Sequence, residues 1–328
     1  MIITKTPLRI SFFSGGSDLP SFYTKRSGAA LSVTIDKFIY VTAHSKPVNA
    51  SYVTSFDEIQ DFSNLDEMTH DITRETLKAF DIKSKLHVSS ISDIPSKGSG
   101  LGSSSAFTVG LINCLRKFED PKKLAEEACI IEMEKCNYPI GKQDQYAAAL
   151  GGLNLFSFTT SGVTNTPLSV SEETLDKLQR NLVLVYTRLE RSANKILSQQ
   201  SKMMDDEEKF NLVLNGRNKA IYAADLLIKG DTDTFGDLLH QAWLDKKKIT
   251  ADISNNVIDR IYELAMNNGA LGGKILGAGG GGFILFYCEE KNKEKLIDTI
   301  HKKTPCIAYD FKFTNQGSTM IYSDEEIN

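Results

Sequence analysis

The chain has 328 residues, with 38 Lys+Arg against 42 Asp+Glu and a formal net charge of −4, a balance that excludes a basic nucleic-acid-binding protein. A content of 41% hydrophobic and 24% charged residues excludes a disordered or collagen-like chain and fits a globular protein of roughly two domains at about 150 residues each. Five cysteines (Cys114, Cys129, Cys136, Cys288, Cys306) form no CxxC pair and leave an odd thiol, which points away from a disulfide framework or zinc ribbon and towards a reducing, cytoplasmic setting.

Lys5 and Arg9 interrupt the N-terminal stretch where an export signal is apolar. No apolar run approaches the roughly 20 residues that span a bilayer, so no membrane association is expected. In chain order, apolar periodicity predicts strands at 9–13, 38–43, 86–90, 152–158, 182–186, 283–287 and 306–311. Helices are predicted at 66–80, 104–118, 121–134, 192–203, 207–229, 232–250 and 255–266. Strands dominate early and helices later, which reads as an α+β fold of two lobes. The polar segment Thr159 to Ser171, with Gly162 and Pro167, marks the expected boundary and places the domains at 1–168 and 169–328. The acidic run Asp205 to Glu208 reads as a solvated helix start, because carboxylates favour helix N-termini. His44, His70, His87, His240 and His301 lack metal-ligand spacing and, with Trp243, read as surface or packing residues.

Four segments carry chemistry. The strongest is Pro95-Ser-Lys-Gly98-Ser99-Gly100-Leu101-Gly102-Ser103-Ser104-Ser105-Ala106, which follows a predicted strand and opens an apolar helix. Its glycines let the backbone approach a phosphate, and the N–H groups and positive dipole end of the helix's first turn face an anion. It is not a Walker loop, since Lys97 precedes the glycines and no Lys stands before the serines. A flexible turn with a serine cap is the plain alternative.

The second glycine run, Gly277-Ala-Gly279-Gly280-Gly-Gly282-Phe283, matches GxGxxG literally but leads into a predicted strand instead of a helix. It therefore reads as a close-packed loop beside the nucleotide or substrate, or as a structural hairpin, and not as a dinucleotide fold. Third, Gly141-Lys142-Gln143-Asp144-Gln145 precedes the helix-prone Tyr146-Ala-Ala-Ala, with Glu132 and Glu134 upstream. A returning helix end can bring two carboxylates to the phosphate loop, one to hold Mg²⁺ and one to position or deprotonate a hydroxyl; an N-cap role for Asp144 is the alternative. Fourth, the predicted strand at Arg9 ends in Ser14-Gly15-Gly16-Ser17-Asp18. Asp18 suits an Asx turn or a polyol, and Arg9 suits charge neutralisation near a phosphoryl group.

Together these segments resemble the GHMP kinases. Pro7-Leu8-Arg9, Gly98 to Ala106 and Gly277 to Phe283 stand in the family's motif order, and the resemblance spans most of the chain. It implies a two-lobed fold with ATP between the lobes and γ-phosphoryl transfer to a small-molecule hydroxyl. Gly98, Ser99, Gly100, Leu101, Gly102, Ser103, Ser104 and Ser105 then wrap the ATP phosphates, Ser104 and Glu132 (or Glu134) take Mg²⁺, Asp144 is the catalytic aspartate and Arg9 the basic residue of the first motif. Gly15, Gly16, Ser17, Asp18, Gly279 and Gly280 fall to the substrate.

Within the family, Arg9 to Pro20, Gly141 to Tyr146 and Arg191-Ser-Ala-Asn-Lys195-Ile-Leu197 are most similar to the branch that phosphorylates the C1 hydroxyl of D-glycero-D-manno-heptose 7-phosphate, on the way to nucleotide-activated heptose for capsule or lipopolysaccharide. Ser14 stands where related enzymes commonly have glycine, and Gly15-Gly16 replaces the Glu-His expected of a galactokinase. Fucokinase or another sugar 1-kinase, and a non-catalytic ATP- and sugar-binding sensor, remain alternatives. The acceptor's own phosphate needs a second basic site, for which Arg191, Lys195, Lys97 and Lys142 are candidates by charge and position. The expected partner is a small-molecule sugar phosphate; the oligomeric state is left open.

Overall fold

The first strand runs Ile2–Phe13, longer than the expected 9–13, because two residues polar in sequence are buried and satisfied inside it. Thr4 Oγ1 donates to Gly110 O at 2.9 Å, and Thr6 Oγ1 meets Ser318 Oγ at 2.8 Å. The structure, a computed structural model, describes residues 1–14, 16–45, 51–95, 98–190 and 193–324.

Ile2–Phe13 pairs antiparallel with the 18-residue strand Gly28–Ser45 and, at its start, with Thr319–Ser323. Gly28–Ser45 forks the sheet. Its residues 28–33 pair with Leu153–Thr159, and its residues 39–45 with Leu86–Ser92. Gly162–Pro167 extends one branch, and Tyr52–Ser55 and Ile59–Phe62 extend the other. Near the fork the register slips between Pro7 and Leu8, and the Arg9 N–H turns to Leu101 O at 3.0 Å. The phosphate-loop candidate is thereby tied to the first strand.

A second, antiparallel sheet has the order Ile307–Tyr309, Leu182–Tyr186, Phe283–Cys288, Ala270–Ile275. Helix Glu207–Ile228 packs on Gly28–Ser45 and on helix Thr232–Lys247, which in turn covers Ala270–Ile275. Phe12 and Phe13 both meet Phe235 of that second helix edge-on at 5.2 Å, so one apolar core joins the sheets. This is the two-lobed α+β arrangement expected.

Two expected helices are interrupted. The one predicted at 66–80 starts at Asp71, with His70 as its cap, after a separate 3₁₀ turn at Leu65–Glu67. The one predicted at 121–134 is α-helical over Pro121–Cys129 and widens into a π-turn over Ile130–Lys135. The segment 159–171 contains the strand Gly162–Pro167, hairpin-paired with Leu153–Thr159, and Thr319–Ser323 returns to the first sheet. The acidic run does open a helix, with Asp206 accepting from the Lys209 N–H at 3.0 Å. Among the described residues no helix is long and apolar enough to cross a membrane.

Candidate active site

A cleft of about 1320 Å³ lies between the lobes, lined by Arg9, Gly100, Glu132 and Asp144 from the first half and by Lys246, Lys274 and Gly277 from the second. Gly102 caps helix Ser103–Leu115 in the left-handed region, with φ 76°, where a glycine is needed. The first bond within the helix is Ala106 N–H to Gly102 O at 2.9 Å, so the helix presents its first turn and positive end to the cleft. Of the eight residues expected to wrap a nucleotide, all but Leu101 line the cleft; Leu101 is buried in the core.

The second glycine run closes the hairpin between Ala270–Ile275 and Phe283–Cys288, in keeping with its exclusion from a dinucleotide fold. Gly282 has φ +82°, and a Cβ there would stand 2.4 Å from both Gly98 O and Ser99 O. Phe283 N–H donates to Ser99 O at 3.0 Å, so the hairpin braces the first glycine loop from behind. Gly277 lines the cleft, whereas Gly279 packs against Ile253 and the Gly280 N–H is spent on Ile253 O at 2.8 Å.

The π-turn aims Glu132 into the cleft while Glu134 is left exposed, a placement in line with the association of such bulges with functional sites. Glu132 is fully buried. It accepts from Ser104 Oγ at 2.9 Å, Ser105 Oγ at 2.8 Å and Gln145 Nε2 at 2.6 Å. All three donors are neutral, and burial pushes the Glu132 carboxyl up to about 7.

Asp144 stands at the second position of helix Gln143–Leu150 and is gripped in parallel by one guanidinium. Arg9 Nε donates to Oδ1 at 2.9 Å and Nη2 to Oδ2 at 2.7 Å, while Nη1 donates to Gly100 O at 2.7 Å. Arg9 therefore couples the aspartate to the glycine loop. Asp18 accepts from Ser14 Oγ at 3.2 Å and from the Gln143 N–H at 3.4 Å. Burial, then the neighbouring Asp144 charge, pushes its carboxyl above the usual range.

Several expected substrate residues do not reach the cleft. Ser17 is buried, bonded to Ala29 O at 2.8 Å and to Ala29 N–H at 3.0 Å. Lys195 is 71% exposed and pairs with Asp252 at 3.4 Å, while the other face of its helix, with Asn194, Leu197 and Gln200, lines the cleft. Lys142 lies over the Tyr23 ring at 5.4 Å. Gly15, Lys97 and Arg191 lie outside the described residues. Gly16 and Asp18 do line the cleft.

Among the lining side chains that sequence reasoning missed are Gln143, Lys246, Lys274 and His70. His70 forms an aromatic cluster with Phe56 (4.5 Å) and Phe107 (5.1 Å) at the cleft wall. Burial holds its imidazole below the usual value. Lys274 carried one usable signal, a cation among apolar residues three positions before the glycine run.

Profiles of the GHMP kinases N terminal domain and of the GHMP kinases C terminal region match residues 68–152 and 223–305. The D-glycero-alpha-D-manno-heptose 7-phosphate kinase of Campylobacter jejuni is 32% identical over 96% of this chain and 97% of its own length. The chain belongs to the GHMP kinases. As a GHMP sugar kinase it uses ATP as phosphate donor. The L-fucokinase/L-fucose-1-P guanylyltransferase of Bacteroides fragilis is 23% identical over 87% of this chain and 34% of its own. A crystal structure of a D-glycero-D-manno-heptose 1-phosphate kinase from Bacteroides thetaiotaomicron shares the GHMP fold at a TM-score of 0.78 and 24% identity, covering 98% of this chain and 100% of that one.

Proposed function

We propose that the protein transfers the γ-phosphoryl group of ATP to the anomeric C1 hydroxyl of D-glycero-D-manno-heptose 7-phosphate, giving the 1,7-bisphosphate. The observation that carries the reaction is the Arg9–Asp144 pair held against Gly100 of the glycine loop. That pair supports the reading because a phosphoryl group bound by that loop would meet an acceptor beside this carboxylate. The choice of acceptor rests on the relative that is 32% identical along nearly its whole length.

The polyphosphate lies over the first turn of Ser103–Leu115, and the Phe56, His70 and Phe107 rings suit the base. Asp144 orients the anomeric hydroxyl and accepts its proton. Little basicity is needed, because phosphoryl transfer relies mainly on positioning and charge stabilisation. Asp18 accepts hydrogen bonds from the sugar.

Mg²⁺ fits Ser104 Oγ and Glu132 Oε1, which already meet at 2.9 Å. Among the described residues no cluster of three or more His, Cys, Asp or Glu offers an all-protein cage, in keeping with an ion that takes one or two protein ligands and otherwise waters and phosphates. When bound, Mg²⁺ supplies charge neutralisation on the ATP phosphates. Arg9 and the helix terminus supply the rest from this chain.

The test is ADP release with MgATP and a panel of D-glycero-D-manno-heptose 7-phosphate, fucose, galactose, mannose and mevalonate, with phosphorus NMR on the product. A new anomeric phosphate from the heptose phosphate alone is expected. Preferential turnover of fucose reassigns the acceptor.

A further inference from the structure

Among the described residues the cleft lining holds three cations against seven carboxylates, and the three cations act on one another. Its described Lys and Arg lining residues are Arg9, Lys246 and Lys274. Arg9 directs two donor groups to Asp144 and a third to Gly100 O. Lys274 is only 5% exposed, and its Nζ donates to Ser11 O and Phe12 O, each at 2.9 Å. Both acceptors are neutral, and an ammonium has three donors. The charges that act on it most are Lys246 and Arg9, both cationic. Lys246, in the last turn of helix Thr232–Lys247, donates to Gly277 O on the same wall. Burial, then these like charges, pushes the Lys274 amine well below the usual lysine range, and an anion beside it restores the charge.

We propose that Lys246 and Lys274 form the subsite for the acceptor's own phosphate monoester, an inference that rests on the sugar phosphate kinase reading above. Seven carboxylates line the cleft, Asp18, Asp144 and Glu190 among them, and such groups suit hydroxyls and repel a phosphate. The charge pattern therefore orients the sugar with its phosphate on the lysine wall and its hydroxyls on the carboxylates. Lys195, expected from sequence to serve here, is turned away.

The test compares the full chain with Lys246→Met, Lys274→Met and Lys274→Arg, using D-glycero-D-manno-heptose 7-phosphate and the unphosphorylated heptose as paired acceptors. Lys246→Met is expected to raise KM for the phosphorylated acceptor on the order of 10- to 100-fold, the loss of a charge-assisted contact. KM for ATP and kcat/KM for the unphosphorylated heptose are expected to change by less than about 3-fold, the scatter of contacts that do not face the altered group. Lys274→Arg is expected to retain the preference for the phosphorylated acceptor and Lys274→Met to lose it; should the latter fail to fold, Lys246→Met decides alone. An equal loss on both acceptors overturns the proposal, because the lysines then serve the transferred phosphoryl group, and so does an unchanged KM. Wild-type protein that turns over only unphosphorylated sugars overturns the acceptor reading itself, and the wild-type arm alone shows it.

Discussion

Two carboxylates face the cleft from opposite electrostatic settings, although Glu132 and Asp144 are only twelve residues apart in sequence. Glu132 is fully buried among two hydroxyls and an amide, and its carboxyl rises to about 7. Asp144, with a side chain 30% exposed, is held by a guanidinium on both oxygens. Neutral donors around a buried acid leave its proton nearly balanced, whereas a cation in register fixes charge and orientation together. The first setting suits a group that waits for a metal ion, and the second suits one that must keep a single pose through turnover.

Replacing the pose-holding carboxylate has the largest expected effect. Asp144→Asn puts an amide nitrogen against the Arg9 fork and removes the proton acceptor, so turnover is expected to fall on the order of 10²- to 10⁴-fold. ATP affinity should stay within about 3-fold, since none of the loop's own bonds to Ser99 and Leu101 depends on Asp144. Steady-state ADP release and an equilibrium titration with ATP measure the two. A near-wild-type rate would remove the distinction between the two carboxylates.

Glu132 is expected to show a weaker effect on turnover and a distinctive pH signature. A carboxyl raised in the folded state from 4.5 to about 7 makes the folded form bind more protons than the unfolded one in that interval. The contribution of Glu132 to stability without metal is therefore greatest below pH 4.5 and declines by about 3 kcal/mol as pH rises towards 7. Glu132→Gln, whose amide can pair with the unsatisfied Gln145 Oε1, should flatten that decline. It should also weaken the Mg²⁺ dependence of ATP turnover by roughly 10- to 100-fold, the cost of losing a carboxylate at a metal site. Thermal unfolding at a series of pH values, with and without MgATP, reads both. A decline of equal size in the variant assigns the pH dependence to other groups.

The parts of this site that were legible in the sequence are those made by neighbouring residues. Gly98 to Ser105 contain both the turn and the helix start, so composition and order were enough to place them at the cleft. Arg9 and Asp144, 135 residues apart, could be named from their motifs, but their two-pronged contact is a property of the fold. Glu132 and Glu134 could not be separated, because a regular helix puts neither reliably inward and the π-turn that decides between them has no plain sequence mark. Lys246 lies in a run of three lysines at a helix end, where a solvated face is the ordinary reading. Ser17 and Lys195 were misplaced for the converse reason: their types suited a sugar phosphate, but a backbone pair at Ala29 and an ion pair at Asp252 claim them. In the fold, only parts of the two longest strands were foreseen, 9–13 of Ile2–Phe13 and 38–43 of Gly28–Ser45, while Tyr52–Ser55, Gly162–Pro167 and the glycine-containing Ala270–Ile275 owe their pairing to neighbours.

The smallest expected effect on chemistry concerns the brace behind the glycine loop. Gly282→Ala meets two obstacles at once, a left-handed φ of +82° and backbone oxygens of Gly98 and Ser99 at 2.4 Å from the new Cβ. Backbone oxygens cannot swing aside as a side chain can, so the loop must shift, at a cost of about 2–4 kcal/mol in stability. The shift reaches the ATP side first, because Ser99 O also receives the Phe283 N–H. KM for ATP should rise by about 10-fold, the equivalent of a displaced contact or two in a loop that binds through its backbone. The acceptor KM should rise by less than that for ATP, because Lys274 keeps its bonds to Ser11 O and Phe12 O of the first strand, although Lys246 follows the hairpin through Gly277 O. Asp144 keeps both bonds to Arg9, which is anchored on Ile2–Phe13 and reaches the shifted loop only at Gly100 O and Leu101 O. If the acceptor KM rose as much as that for ATP, the hairpin would be supporting both carboxylate settings, and the difference between them would lie in charge alone.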